Sequence, residues 1–426
     1  MKSCTLQNIA FTNKGCTIAY QYALSTDIQK YFNEETAYYA SYGVQVSTTP
    51  LSIAVIPFLA NIMPIAWFAG FNVVVDEVDE TFFNSLTELK KEFTKYHPNK
   101  TFKGELIAEK LVKNTISGKE SALLFSGGLD SFESYTRNYK SNPYLISIHG
   151  ADVEINDRKR WEDFKRYNTE EEIVVNDKLC YITTNVRDFY TYKVELLVNI
   201  GWWGKIQHGM ALLGVIAPLG YQLGISNILI GSSNTEEVDF GWGSSPNIDE
   251  KMKWANSTVV HDGYHLRRTD KIDNIVAFSE NNHTPIKLRV CYSELRDGYN
   301  CSVCAKCQRT IFGLLLANSN PNNYGFKVPA NIYTLLLNNF KANTVMSTGV
   351  KYEWKCLQKK ASEVSKFFVI NNKETEKQSI QTFINLDLDS LINVDLEKTK
   401  PIFKLKFILR HKFKNAYKTY KKFRYN

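Results

Sequence analysis

The amino-terminal residues 1–8 lack the apolar run that directs secretion, which predicts a cytoplasmic chain whose cysteines are thiols or metal ligands rather than disulfides. The sequence has no Gly-x4-Gly-Lys-Ser/Thr loop and no Gly-x-Gly-x-x-Gly fingerprint, so the two commonest phosphate-binding turns are excluded. No charged residue occurs from Thr36 to Val75, and the apolar stretch 51–75 is long enough to raise a membrane-spanning segment. Pro57, Asn61, Pro64 and Asn72 interrupt it, however, and residues 72–79 read as a strand leaving a buried helix, which is the expectation adopted. Residues 401–426 contain no acid but nine Lys or Arg; the whole chain carries a net charge of +8, so its basic character is local to this tail. A hydrophobic fraction of 44% over 426 residues fits a globular protein of two or three domains and argues against large-scale disorder.

The most informative stretch is 122–134, Ala-Leu-Leu-Phe-Ser-Gly-Gly-Leu-Asp-Ser-Phe-Glu-Ser. A buried strand runs into a Gly-Gly turn, and the helix that follows starts at Asp130 or Ser131. Gly127 and Gly128 let the backbone bend tightly and turn several N–H groups outward, while the helix start adds the positive end of its dipole. Phe125, Ser126, Gly127, Gly128, Leu129, Asp130 and Ser131 are therefore expected to cradle phosphates. The Ser126 and Ser131 hydroxyls would donate to them, and the Asp130 carboxylate would hold Mg²⁺.

Downstream, helices alternate with strands at 144–148, 179–183 and 227–230, which predicts an α/β fold with a parallel sheet. Ligands in such sheets sit beyond the carboxyl ends of the strands, so His149, Gly150 and Ser232 join the expected phosphate-binding set. Helices are expected at 82–96, 157–167, 187–199, 205–223, 272–280 and 308–317. Residues 231–262 look irregular, and Phe240, Trp242 and Trp254 suit an ordered lid or substrate wall. Arg268 and Lys271 are the cations best placed to meet the phosphates, and with Asp130 and Ser131 they form the expected catalytic set. His261 and His265 are possible bases without a visible orienting partner. The organisation read from these signals is an accessory α+β region (1–115), a nucleotide domain (116–325) and a helical extension (326–426).

Cys291, Cys301, Cys304 and Cys307 form C-x9-C-x2-C-x2-C, four thiols within seventeen residues. This pattern predicts a closed tetrahedral Zn²⁺ site with a structural role, an Fe–S cluster and free thiols being the alternatives. Lys306 and Arg309 would offset part of the thiolate charge.

The Ser-Gly-Gly-Leu-Asp-Ser turn resembles the PP-loop of the ATP pyrophosphatase superfamily, and the turn together with a four-cysteine knot roughly 160 residues later resembles the 7-cyano-7-deazaguanine synthase family of queuosine precursor synthesis. The resemblance covers about residues 120–318. It implies an adenine nucleotide alpha-hydrolase-like fold, ATP and Mg²⁺ as reactants and a structural Zn²⁺. The implied reaction is adenylation of a substrate carboxylate or amide oxygen with pyrophosphate release, followed by transfer of ammonia or another amine. The sequence departs from that family in Phe132 and Glu133, where the family has threonines, and in residues 243–249, which replace its Tyr-Pro-Asp-Cys-Arg segment. Regions 1–115 and 326–426 have no counterpart there. A non-catalytic nucleotide-binding or RNA-binding module that keeps the fold is the alternative. In the tail, Leu405, Leu409, Phe413, Ala416, Tyr420 and Phe423 recur every three or four residues among lysines, giving a basic amphipathic helix that suits RNA, an anionic membrane or the protein's own body. A homo-oligomer is compatible with everything above.

Overall fold

The computed structural model describes residues 2–238, 241–291, 298–340, 345–393 and 401–413. Ten strands form one sheet: β1 (Ser3–Thr12), β2 (Thr17–Leu24), β3 (Tyr39–Tyr42), β4 (Asn72–Asp79), β5 (Leu106–Val112), β6 (Glu120–Leu124), β7 (Tyr144–His149), β8 (Leu179–Thr184), β9 (Ile225–Gly231) and β10 (Thr258–Asp262). Their order is β10-β9-β6-β7-β8-β3-β2-β1-β4-β5. The run from β10 to β8 is parallel throughout, which is the α/β core expected around the Gly-Gly turn. At its edge β3 pairs antiparallel with β8, Ala40 opposite Thr184, and through β3 the sheet continues into β2, β1, β4 and β5. The strands of residues 1–115 and those of residues 116–325 thus share one sheet.

They also share one hydrophobic core, in which Ile56, Ile62 and Trp67 pack with Met210, Ile216 and Ile228. The uncharged stretch supplies the helices Leu51–Ala54 and Ile56–Ala69, the latter buried over most of its length. Its one amide, Asn61, is satisfied inside: it donates to the Tyr38 hydroxyl (3.1 Å) and the Pro57 carbonyl (2.8 Å) and accepts from Gln207 (2.8 Å). Full pairing is what makes a buried amide tolerable. Among the described residues no helix is long and apolar enough to cross a membrane.

Several elements differ from expectation. The stretch 205–223 is not one helix but a π turn (Trp203–Gln207) and two short helices, His208–Gly214 and Ala217–Leu223. Pro218 enters at the first turn of the last piece, where its missing N–H costs nothing. The stretch 187–199 keeps only the helix Tyr192–Glu195 and one following 3-10 turn, which Asn199 ends by turning left-handed at φ 52°. Strand β10 lies inside the segment expected to be irregular. The helices Ile332–Leu337, Thr348–Glu363 and Lys373–Ile384 pack with the helix Ala305–Leu316, with Phe383 edge-on to Phe312 (5.0 Å) and close to Trp354 (5.8 Å). The last helix, Pro401–Lys412, leaves Leu405, Leu409 and Phe413 exposed. Phe240, Ala416, Tyr420 and Phe423 lie outside the described residues.

Candidate functional site

Strand β6 ends at Leu124, and residues 125–128 carry the chain into the helix Leu129–Asn138, whose N-cap is Gly128. Gly127 sits at φ +66°, a left-handed conformation that a side chain would strain. The two serines organise the turn. Ser126 N–H donates to Ser131 Oγ (3.3 Å), Gly128 N–H donates to Ser126 Oγ (3.3 Å), and the two hydroxyls lie 3.2 Å apart. The neighbouring β9 ends in Gly231, where a Cβ would come within 2.7 Å of the Asp130 carbonyl oxygen, so only glycine lets the strand approach the start of this helix.

Cations converge on the turn from three later segments. Lys271, 2% exposed, places Nζ 3.2 Å from Asp130 Oδ1 and also donates to the Ser232 carbonyl. Burial alone would raise the Asp130 carboxyl, but Lys271, Arg268 and Lys306 outweigh it and hold the group below its ordinary value. Arg268 opens the helix Arg268–Asn282 and donates to Thr310 Oγ1 (2.9 Å). Arg289 grips the turn from outside: its N–H donates to the Gly127 carbonyl (2.7 Å), Nη2 donates to the Ser126 carbonyl (2.5 Å), and its guanidinium lies 4.1 Å from the Phe164 ring centroid.

These groups surround a cavity of about 400 Å³ lined by Phe125, Ser126, Gly128, Leu129, Asp130, Ser131, Arg268, Arg289 and Lys306 at one end. Trp203, His208, Leu212 and Trp242 line it as well, with Trp161, Phe164 and Val153. A cavity with clustered cations and extended aromatic walls suits an anion joined to a flat ring. Of the expected residues, Gly127 shapes the turn without lining the cavity, and Lys271 faces a smaller pocket of about 40 Å³ beside Asp130, Arg268 and the helix Thr348–Glu363. His149, Gly150 and Ser232 stand behind the wall. The His149 ring stacks on Trp161 (4.7 Å, 3° between planes) and donates to the Glu154 carbonyl (3.2 Å), and Gly150 packs on the Thr184 backbone. Trp254 is fully buried in the core, not part of the cavity wall, whereas Trp242 is part of it.

Ser232 belongs to a chain of contacts that supplies the partner missing from the sequence reading of His261. Asp249 Oδ2 is 2.7 Å from His261 Nδ1, and His261 Nε2 is 2.8 Å from Ser232 Oγ. Ser244 Oγ donates to the same Asp249 oxygen (2.7 Å). All four side chains are buried, and the Ser232 hydroxyl lies 2.8 Å from the Asn234 carbonyl, so this Ser-His-Asp row has no open face for an acyl substrate. It fixes the loop 231–234, whose Ser232 carbonyl receives Lys271.

Phe132 and Glu133 both face inward. Phe132 packs edge-on against Phe125 (4.9 Å), and Glu133 accepts from Arg137 Nε (2.6 Å) and Asn274 (2.9 Å). Segment 243–249 meets the piece that starts at Trp203: Gly243 N–H donates to the Gly204 carbonyl (2.8 Å) and its carbonyl accepts from Gly209 (2.9 Å).

Behind Arg289 and Lys306 lies the cysteine cluster. The four Sγ atoms all fall within 4.8 Å of one another, with 3.9 Å between Cys291 and Cys304, 3.9 Å between Cys301 and Cys307, and 3.5 Å between Cys304 and Cys307. A tetrahedral shell with bonds of about 2.3 Å has edges of about 3.8 Å, so the cluster is sized for a single metal ion such as zinc. A group of several irons and sulfides set between the thiols would spread them further. Contact with the Cys291 and Cys304 sulfurs, together with burial, pushes the Cys307 thiol far above its ordinary value, a crowding that a bound cation relieves. Asn300, which sequence reasoning missed, clamps the knot. Its Oδ1 accepts from the N–H groups of Val290 (3.0 Å) and Cys291 (3.1 Å), and its Nδ2 donates to the carbonyls of Leu288 (2.7 Å) and Gly325 (2.8 Å). Lys306 turns to the cavity, and Arg309 pairs with Glu353 (2.5 Å).

Comparison with protein families, with curated proteins and with solved structures finds no match to this chain, so the chemistry of the site rests on its own geometry.

Proposed function

We propose that the chain is an ATP-dependent ligase of the PP-loop type: it transfers AMP from ATP to an oxygen of a carboxylate or amide substrate, releases pyrophosphate, and then joins ammonia or another amine to the activated carbon. The observation that carries this reading is the lining of one cavity by Ser126, Ser131 and Asp130 of the 126–131 turn together with Arg268, Arg289 and Lys306. The substrate oxygen attacks the α-phosphorus and the bond to the bridging oxygen breaks, so negative charge builds on the departing pyrophosphate. Ser126, Ser131, Arg268 and Lys306, which line the cavity, would stabilise that charge, and the catalysis would be electrostatic and positional. Mg²⁺ held by Asp130 would neutralise phosphate oxygens. Lys271, buried against Asp130 and the Ser232 carbonyl, keeps the carboxylate ionised and oriented. In the second step the amine attacks the acyl carbon and AMP leaves. We assign Zn²⁺ to the four cysteines as a structural ion, which fixes Arg289 and Lys306 at the cavity. The cavity walls favour a flat, conjugated acid, in keeping with the resemblance to 7-cyano-7-deazaguanine synthases.

The test is product analysis. Incubation with Mg-ATP, ammonium and a panel of heteroaromatic carboxylic acids should yield AMP and pyrophosphate with at least one acid, and Asp130→Ala should abolish both. ADP and phosphate as products, or undiminished turnover in Asp130→Ala, would overturn the reading.

A further inference from the structure

We infer that the helix Pro401–Lys412 docks the protein on an anionic lipid surface. The helix has two distinct sides. On one, the His411 ring stacks on Tyr192 (5.2 Å) and Phe407 meets Tyr192 edge-on (6.4 Å), which seats the helix on the body of the molecule. Away from that contact Leu405, Leu409 and Phe413, each four residues from the next, form one exposed line, with exposures of 55%, 45% and 60%. Phe403 is exposed as well, so four of the eleven large apolar side chains exposed among the described residues fall in this short segment. Scattered exposed leucines need no explanation, but a line of them on one helix does.

The charge around that line identifies what covers it. Lys404, Lys406 and Lys412 are exposed beside the apolar side chains, and residues 401–426 carry nine Lys or Arg and no acid. An aliphatic stripe flanked by cations matches the boundary of an anionic bilayer, where the leucines enter the acyl region and the ammonium groups stay among the lipid phosphates. A polyanion such as RNA would be met by the same cations but has no use for Leu405 and Leu409. A second copy of the chain would bring nine more cations to the contact.

Vesicle co-sedimentation of the full-length protein tests this. Vesicles of phosphatidylcholine with about 30% phosphatidylserine should capture the protein, pure phosphatidylcholine vesicles should not, and capture should weaken with salt. Leu405→Glu/Leu409→Glu should reduce capture by roughly tenfold or more while leaving melting temperature and molecular mass in solution unchanged. The inference fails if anionic vesicles capture nothing, or if the double variant is captured as well as the wild type. It fails equally if the variant melts lower, since the stripe would then be packed on the body, or if it changes the oligomeric state, which would assign the stripe to a second copy. Capture of single-stranded RNA but not vesicles by both proteins would identify the tail as a nucleic-acid contact instead.

Discussion

Asp130 is the residue on which the proposed phosphate site turns, and its pairing with Lys271 is testable by itself. Lys271→Met leaves a mostly buried carboxylate without its nearest cation, which should cost about 3 kcal/mol of stability at neutral pH, read by urea denaturation. Because the folded-state pKa of Asp130 lies below the ordinary 3.8, its contribution is fully present above about pH 4 and is lost as pH falls further. Asp130→Asn should therefore flatten the acid limb of the melting curve. His149 behaves differently. Burial is the main cause lowering its pKa below the ordinary 6.5, with Lys165 assisting, so the unfolded chain takes up a proton before the folded one does. Stability should fall as pH drops below about 6.5, and a His149→Phe variant, which keeps a ring against Trp161, should lose that dependence.

The Gly-Gly turn and the cysteine knot were legible as elements because each is local: the turn falls within a few positions and the four cysteines within seventeen residues. What joins them was not legible. Arg289 and Lys306 reach the cavity only because the knot packs behind the turn, and no spacing in the sequence reports that contact. Asn300 was missed for the same reason, its four partners being spread from Leu288 to Gly325. Likewise His261 meets Ser232 only once β10 is laid beside β9. The stretch 205–223 has helical periodicity but folds as three pieces, and the close approach of Ala60 to Gly214, where an added Cβ would fall 2.3 Å from that of Ala60, is a tertiary contact that periodicity does not report. Two predictions belong at this scale. Cys304→Ser should lower both metal content and solubility, and metal analysis of the wild type should find about one zinc per chain. Asn300→Ala should leave buried N–H and carbonyl groups unpaired, costing roughly 2–5 kcal/mol and releasing metal more readily to a chelator, measured by denaturation and by a zinc-sensitive dye.

Across the whole molecule, the parallel strands around the turn are continuous with the strands of residues 1–115 through the β3–β8 pairing, and the helix Ile56–Ala69 fills the core beneath both. Deleting residues 1–115 should therefore expose that core and yield insoluble protein rather than a smaller active enzyme. The central claim remains that the 126–131 turn holds the phosphates of ATP, and it can be tested without knowing the second substrate. The decisive measurement is a titration of the full-length protein, with Mg²⁺ present, by an ATP analogue whose α–β bridge cannot be cleaved, read as heat of binding in the wild type and in Arg268→Ala. One site per chain, weakened roughly tenfold or more by Arg268→Ala, is the result the geometry predicts. Absence of binding in the wild type, or equal affinity in both proteins, would contradict it.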